Sequence, residues 1–252
     1  MIKIPSRIIP LEPNEVLIGN RAYLRKIDPL PIQVVNPQDY ALIQEGDEAN
    51  VAIYMFQKFE RLKFFPMLQK AMETGEALAT PIRLTQNIIN GNSARRNETA
   101  LYDALGNIIE GDGLIQYTDR LNHHCWVYLN ARFPQGQGFK GLDFITMNTD
   151  GSEVREPLQD CLNSTCYAEL CSRNVQGLPT KKASVQEYKP GETIYFCPPN
   201  LRNDKPEEGY VAWFDAYLDA RIDCDGHPDG ASASLGGIPC AGGAVAKIQE
   251  AK

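Results

Sequence analysis

The chain has 252 residues, 43% of them apolar and 23% charged, with a formal net charge of −7. That length is enough to bury a sizeable core in one large domain or two smaller ones, and the composition is that of an ordinary globular protein. An acidic balance argues against a nucleic-acid partner, which needs a basic face, and no apolar run approaches the ~20 residues of a membrane span.

Residues 1–47 carry prolines at 5, 10, 13, 29, 31 and 37 among Ile, Val and Leu. Proline fixes φ and removes a donor, so interior helix and central strand are denied and an extended arm is expected. Such an arm packs over its own domain or over a neighbouring subunit. The first residues, Met1 to Arg7, lack the apolar stretch of a secretory signal. The expected setting is therefore the cytoplasm or an assembled particle.

A β-rich globular domain is expected over 48–252, opening with a helical segment at 48–74. There Val51, Met55, Phe59 and Leu62 recur at helical spacing. Pro66 suits the first turn of a second short helix, and Gly75 suits its end. The aromatics Tyr54, Phe56, Phe59, Phe64 and Phe65 read as core.

From residue 80 the pattern turns to strand. Residues 84–89 precede a polar loop at 90–97, and 102–109 contain a Gly106-Asn107 turn. Residues 124–133 alternate, with Cys125, Val127, Leu129, Ala131 and Phe133 against Trp126, Tyr128, Asn130 and Arg132. Strand resumes over 139–147, a helix is expected at 157–171, and 193–197 reads as strand before Pro198-Pro199.

The firmest pattern is 212–224. Ala212, Phe214, Ala216, Leu218, Ala220, Ile222 and Cys224 alternate with Trp213, Asp215, Tyr217, Asp219, Arg221 and Asp223. Successive strand residues point to opposite faces, so one long half-buried strand is expected. The elements together predict a mainly β (α+β) fold, an antiparallel β-sandwich or jelly-roll-like domain with an N-terminal arm and a short helical segment.

The candidate sites cluster at the end of that strand. Asp223, Asp225 and Asp229 around Gly226 form an oxygen-rich loop suited to calcium, although Ser232 stands where an EF-hand has Glu. The competing reading is a solvated Asp-Gly turn. Zinc would need Cys224, His227, Cys240 and the His123-His124-Cys125 cluster to meet, and no Cys-x₂-Cys pair exists to nucleate such a site. Seven cysteines between Cys125 and Cys240, an odd number, read as buried thiols. Asp215 and Asp219 beside Trp213 and Tyr217 suggest a glycan-binding face. On one straight strand, however, they would lie roughly 13 Å apart, too far for a glycosidase pair. No nucleophile elbow or Cys/His dyad is present.

The function expected from these features is a non-enzymatic structural or assembly subunit of a particle, filament or tail-like complex, a virion component among them. Its partners would be further copies or other protein subunits. The alternative is a carbohydrate-active or metal-dependent enzyme, or a glycan-binding module, using residues 213–229.

Overall fold

The computed structural model describes residues 15–18, 21–24, 36–45, 49–59, 61–134, 139–199, 209–217, 219–231 and 234–241. Strands β1 (Glu15–Ile18) and β2 (Arg21–Leu24) form a hairpin that pairs with no other described strand. A four-stranded antiparallel sheet contains β3 (Tyr40–Glu45), β4 (Ala49–Tyr54), β5 (Ala77–Leu78) and β14 (Pro239–Ala241), in the order β3-β4-β14-β5. The larger sheet is built from β6 (Trp126–Phe133), β7 (Asp143–Met147), β8 (Glu153–Pro157), β9 (Cys166–Glu169), β10 (Thr193–Cys197), β11 (Tyr210–Asp215), β12 (Arg221–Gly226) and the short β13 (Gly236–Gly237). Its order is β8-β7-β6-β11-β12-β10-β9, with β13 beside β6. Among the described strands, only the β10–β12 and β13–β6 pairs are parallel. The described residues also hold three α-helices: α1 (Phe64–Glu73), α2 (Pro81–Arg95) and α3 (Gly111–His123). The fold is mainly β, of the α+β, sandwich-like kind expected.

Alternation assigns the two faces of the large sheet. Val127, Leu129, Ala131 and Phe133 of β6, Ala212 and Phe214 of β11, and Ile222 and Cys224 of β12 point inward. They share one core with Leu84 and Ile88 of α2, Tyr117 and Leu121 of α3, and Ala41, Ile43, Val51 and Ile53 of the small sheet. The other face is covered at one end by α1, whose Phe64, Met67, Leu68 and Ala71 pack with Tyr128 and Val211. Its remaining half stays partly open.

Several segments depart from the expected pattern. The helix expected over 48–74 begins only at Phe64. Ala49–Tyr54 is instead a strand hydrogen-bonded on both sides, by β3 and β14. Pro66 does fall in the first turn of α1, and Gly75 follows its end at φ 74°. Residues 84–97, expected as strand and loop, belong mostly to α2, because Leu84, Ile88 and the buried Gly91 lie at helical spacing against α3. Residues 157–171 hold β9 and turns in place of a helix. Most of the arm at 1–47 lies outside the described residues, but its last part, Tyr40–Glu45, is a strand of the small sheet.

The long strand expected at 212–224 folds back on itself. Phe214 faces Ile222 and Asp215 faces Arg221 across an antiparallel ladder, with the turn between them. Facing residues have sequence numbers of equal parity, so the alternation passes through the turn unbroken. The predicted faces are kept: Ala212, Phe214, Ala216, Ala220, Ile222 and Cys224 are all buried in the core.

Candidate functional site

The outer face of the large sheet gathers the site. Residues directly opposite on neighbouring strands point to the same side. One row across five strands is therefore Trp126, Asp215, Arg221, Tyr195 and Tyr167. A second row, towards α1, is Tyr128, Trp213, Asp223 and Cys197. The side-chain contacts follow this register. Trp126 and Trp213 meet edge to face at 5.8 Å between ring centroids, and Tyr167 and Tyr195 do so at 5.0 Å. All four rings are partly exposed, and Tyr217 in the β11–β12 turn is 49% exposed.

Charge on this face is unequal. Arg221 lies between Asp215, 3.2 Å from its Nη2, and Asp223, 3.3 Å from its Nε. The Nε contact is within ion-pair reach but lacks hydrogen-bond geometry. Asp219 accepts from the Tyr167 hydroxyl, which together with burial pushes that phenol up to about 12. Asp215 also accepts from the Tyr217 backbone N–H. Arg221 thus serves two of these three carboxylates, and the third, Asp219, is held by Tyr167. The indole N–H groups of Trp126 and Trp213 are buried and find no acceptor among the described residues, an arrangement that costs stability.

Two of the three carboxylates expected to bind calcium turn to different partners. Asp223 is buried and turned to Arg221 and Cys197, whereas Asp229 is exposed and paired with Lys63 Nζ at 2.8 Å. The loop after β12 is instead a structural clamp. The Tyr128 hydroxyl reaches the carbonyls of His227 and Gly230, and Phe64 N–H donates to Pro228 O. Among the described residues, no group of three or more His, Cys, Asp or Glu side chains is arranged to hold a metal ion. The zinc combination of Cys224, His227 and Cys240 with the His123-His124-Cys125 cluster is included in that statement.

Four of the thiols are shifted away from nucleophilic character. Burial raises Cys125, Cys161 and Cys197 to about 12, with Asp223 adding to the shift at Cys197, and it also raises Cys224 well above the ordinary thiol value. A reactive cysteine needs the opposite shift. Cys125 and the exposed His124 both line a 390 Å³ cavity with Phe56 and Arg120. The guanidinium of Arg120 there stacks 4.5 Å from the Phe56 ring. A larger cleft of 560 Å³ lies between the start of α2 and the β7–β8 hairpin, lined by Thr80, Arg83, Asn130, Asp150 and Glu156 among others.

Reading the sequence alone placed Trp213, Asp215, Tyr217, Asp219 and Asp223 together but missed Trp126, Tyr167 and Tyr195. Their own strands do carry the signal. Trp126 and Tyr195 each occupy the outward positions of an alternating segment, and only the strand order brings them beside Asp215 and Arg221. No family model matches the chain, and no curated protein or solved structure shows significant similarity to it.

Proposed function

We propose that this chain is a non-enzymatic assembly subunit that meets protein partners through the outer face of its large sheet. The observation that carries the reading is the concentration of Trp126, Trp213, Tyr167, Tyr195 and Arg221 on one partly open surface. Aromatic and arginine side chains are the residues that dominate protein interfaces. Asp215, Asp219 and Asp223 are engaged by Arg221 and Tyr167, which suits a fixed recognition surface better than a proton-transfer site. The β1–β2 hairpin, which pairs with no other described strand, adds support, since a two-stranded ribbon is marginal by itself. A particle, filament or tail-like complex, virions included, is the setting in which such subunits work. Calcium at the 223–229 loop forms no part of this reading, because Asp223 and Asp229 turn to different cations.

Sedimentation of the purified chain over a wide concentration range tests the proposal, together with the native mass in its source. Larger species in either are expected. A monomer throughout, with no larger species in the source, rejects it. A second reading, a glycan-binding module on the same face, is favoured by the exposure of Tyr217 beside Asp215. It predicts saccharide binding that Trp213→Ala abolishes, and a blank saccharide array would remove it.

A further inference from the structure

The large sheet ends in β8, and all five of its residues, Glu153 to Pro157, are exposed. Among the described strands it pairs with β7 alone. The register fixes which backbone groups are left over. Asn148 N–H donates to Ser152 O, and Leu158 N–H donates to Leu142 O. Hydrogen-bonded pairs alternate along an antiparallel ladder, so Val154 and Glu156 also turn their N–H and C=O to β7. Glu153, Arg155 and Pro157 turn theirs outward. Pro157 has no N–H, and its carbonyl accepts from the Gln176 and Gln159 side chains at 3.0 and 3.3 Å. The free edge is therefore short and bounded, consisting of the backbone N–H and C=O of Glu153 and Arg155.

Unpaired edge groups template another strand, and charged side chains on an edge commonly oppose this. Here the two charges have opposite signs, which changes what they select. Set against an antiparallel copy of itself, β8 can bring these residues together in different registers. Glu153 facing Glu153, or Arg155 facing Arg155, sets like charges opposite, which is unfavourable. In the remaining register Glu153 of each copy faces Arg155 of the other, and Val154 faces Val154 on the two-fold axis. That register closes the outward backbone hydrogen bonds of both residues, and it pairs opposite charges on each side of the axis. It also covers Val154, which is 37% exposed in the single chain. Within the chain Glu153 already meets Arg132, and Arg155 meets Asp143 at 2.7 Å. The new pairs would extend that alternating row.

We propose that β8 of a second copy adds antiparallel to β8 across this edge, centred on Val154, so that the two large sheets run on as one. The inference rests on the assembly reading and adds to it a contact at the sheet edge, separate from the outer face. A two-fold contact presents the same residues from both sides, so Glu153 to Arg155 supply all of it. So short a ladder is a weak contact, one that the high local concentration within an assembly populates.

The test uses the full-length chain carrying Cys171→Ser, which removes the exposed thiol. The residues facing each other at the centre of such a ladder have Cα atoms about 4.5 Å apart, within reach of a disulfide. Val154→Cys, held at high concentration with oxidised glutathione, should therefore give a dimer whose peptide map joins position 154 of two copies. Adding Arg155→Pro removes an outward donor and leaves the β7 ladder intact, because that N–H does not face β7. The linked fraction should fall about tenfold. Glu153→Arg and Arg155→Glu should each lower it to a similar extent. Together they should restore it, because every copy then carries both signs reversed. Circular dichroism of each variant checks that the sheet is kept. No link at position 154, or one unchanged by Arg155→Pro and by both single reversals, overturns the edge contact. A double reversal that stays as low as the single ones overturns the register, and the proposal with it. Larger species in sedimentation without the link overturn the edge contact and leave assembly through the outer face standing. A monomer in sedimentation with no link rejects both.

Discussion

Arg221 faces Asp215 across the β11–β12 ladder, its Nη2 3.2 Å from the carboxylate, while its Nε approaches Asp223. The Asp223 side chain is 8% exposed, so the guanidinium is a counter-charge for a carboxylate largely removed from water. Replacing it by an apolar side chain leaves that charge without its cation. Arg221→Met is expected to lower stability by about 1–3 kcal/mol in urea unfolding. Adding Asp223→Asn should recover part of the loss, because the unpaired charge is then gone. An Arg221→Met chain as stable as its parent would remove Arg221 from the balance.

The buried thiols set an alkaline limit. Cys125, Cys161 and Cys197 are raised by burial to about 12, whereas a thiol in an unfolded chain titrates near about 8.5. Between those values the unfolded chain has released protons that the native chain still holds, so unfolding gains as pH rises. The stabilising contribution is complete below about pH 8.5 and is lost progressively towards pH 12. The urea midpoint should be flat through neutral pH and decline above it. Cys125→Ala, compared with the parent at each pH, should show a shallower decline.

Accessibility orders the same thiols. Cys171 is exposed, whereas Cys125, Cys166, Cys224 and Cys240 are buried. A thiol reagent should modify Cys171 first, as peptide mapping would show, and the buried four only on unfolding. Rapid modification of Cys224 in the native protein would contradict the packing described.

Two glycines separate backbone strain from steric clash. Gly75 and Gly177 both have positive φ, at 74° and 86°. A Cβ on Gly75 meets nothing within 4 Å, whereas one on Gly177 would sit 2.1 Å from the Ile82 nitrogen at the start of α2. Gly75→Ala should cost about 1 kcal/mol through its left-handed backbone alone. Gly177→Ala should cost clearly more, because the loop must move off the helix. Equal losses in thermal melts would show that the loop at Gly177 relaxes freely.

The sequence carried the faces of the fold better than its turns. Val127, Leu129, Ala131 and Phe133 were legible as core because their segment alternates without a break and every one of them points inward. The β11–β12 hairpin was not legible. Its paired residues, 214 with 222 and 215 with 221, keep an apolar-polar alternation identical to that of one straight strand. The distance argument against Asp215 and Asp219 acting together fails for the same reason, since it assumed that strand. Helices α2 and α3 were hidden differently: Asn87, Asn92 and Asn122 are polar residues that a core position would not suggest. Their burial is met by hydrogen bonds such as that between Asn92 and Asn122, which depend on two helices that sequence spacing alone does not pair.

Strand β14 lies between β4 and β5, pairing Cys240 with both Ile53 and Ala77. The small sheet is thus closed by residues from the far end of the chain. During synthesis β4 and β5 emerge early and have no neighbour in common until Pro239–Ala241 leaves the ribosome. The small sheet is therefore completed only once Pro239–Ala241 has been made, and a nascent chain halted before Pro239 exposes two strand edges to chaperones or to other nascent chains.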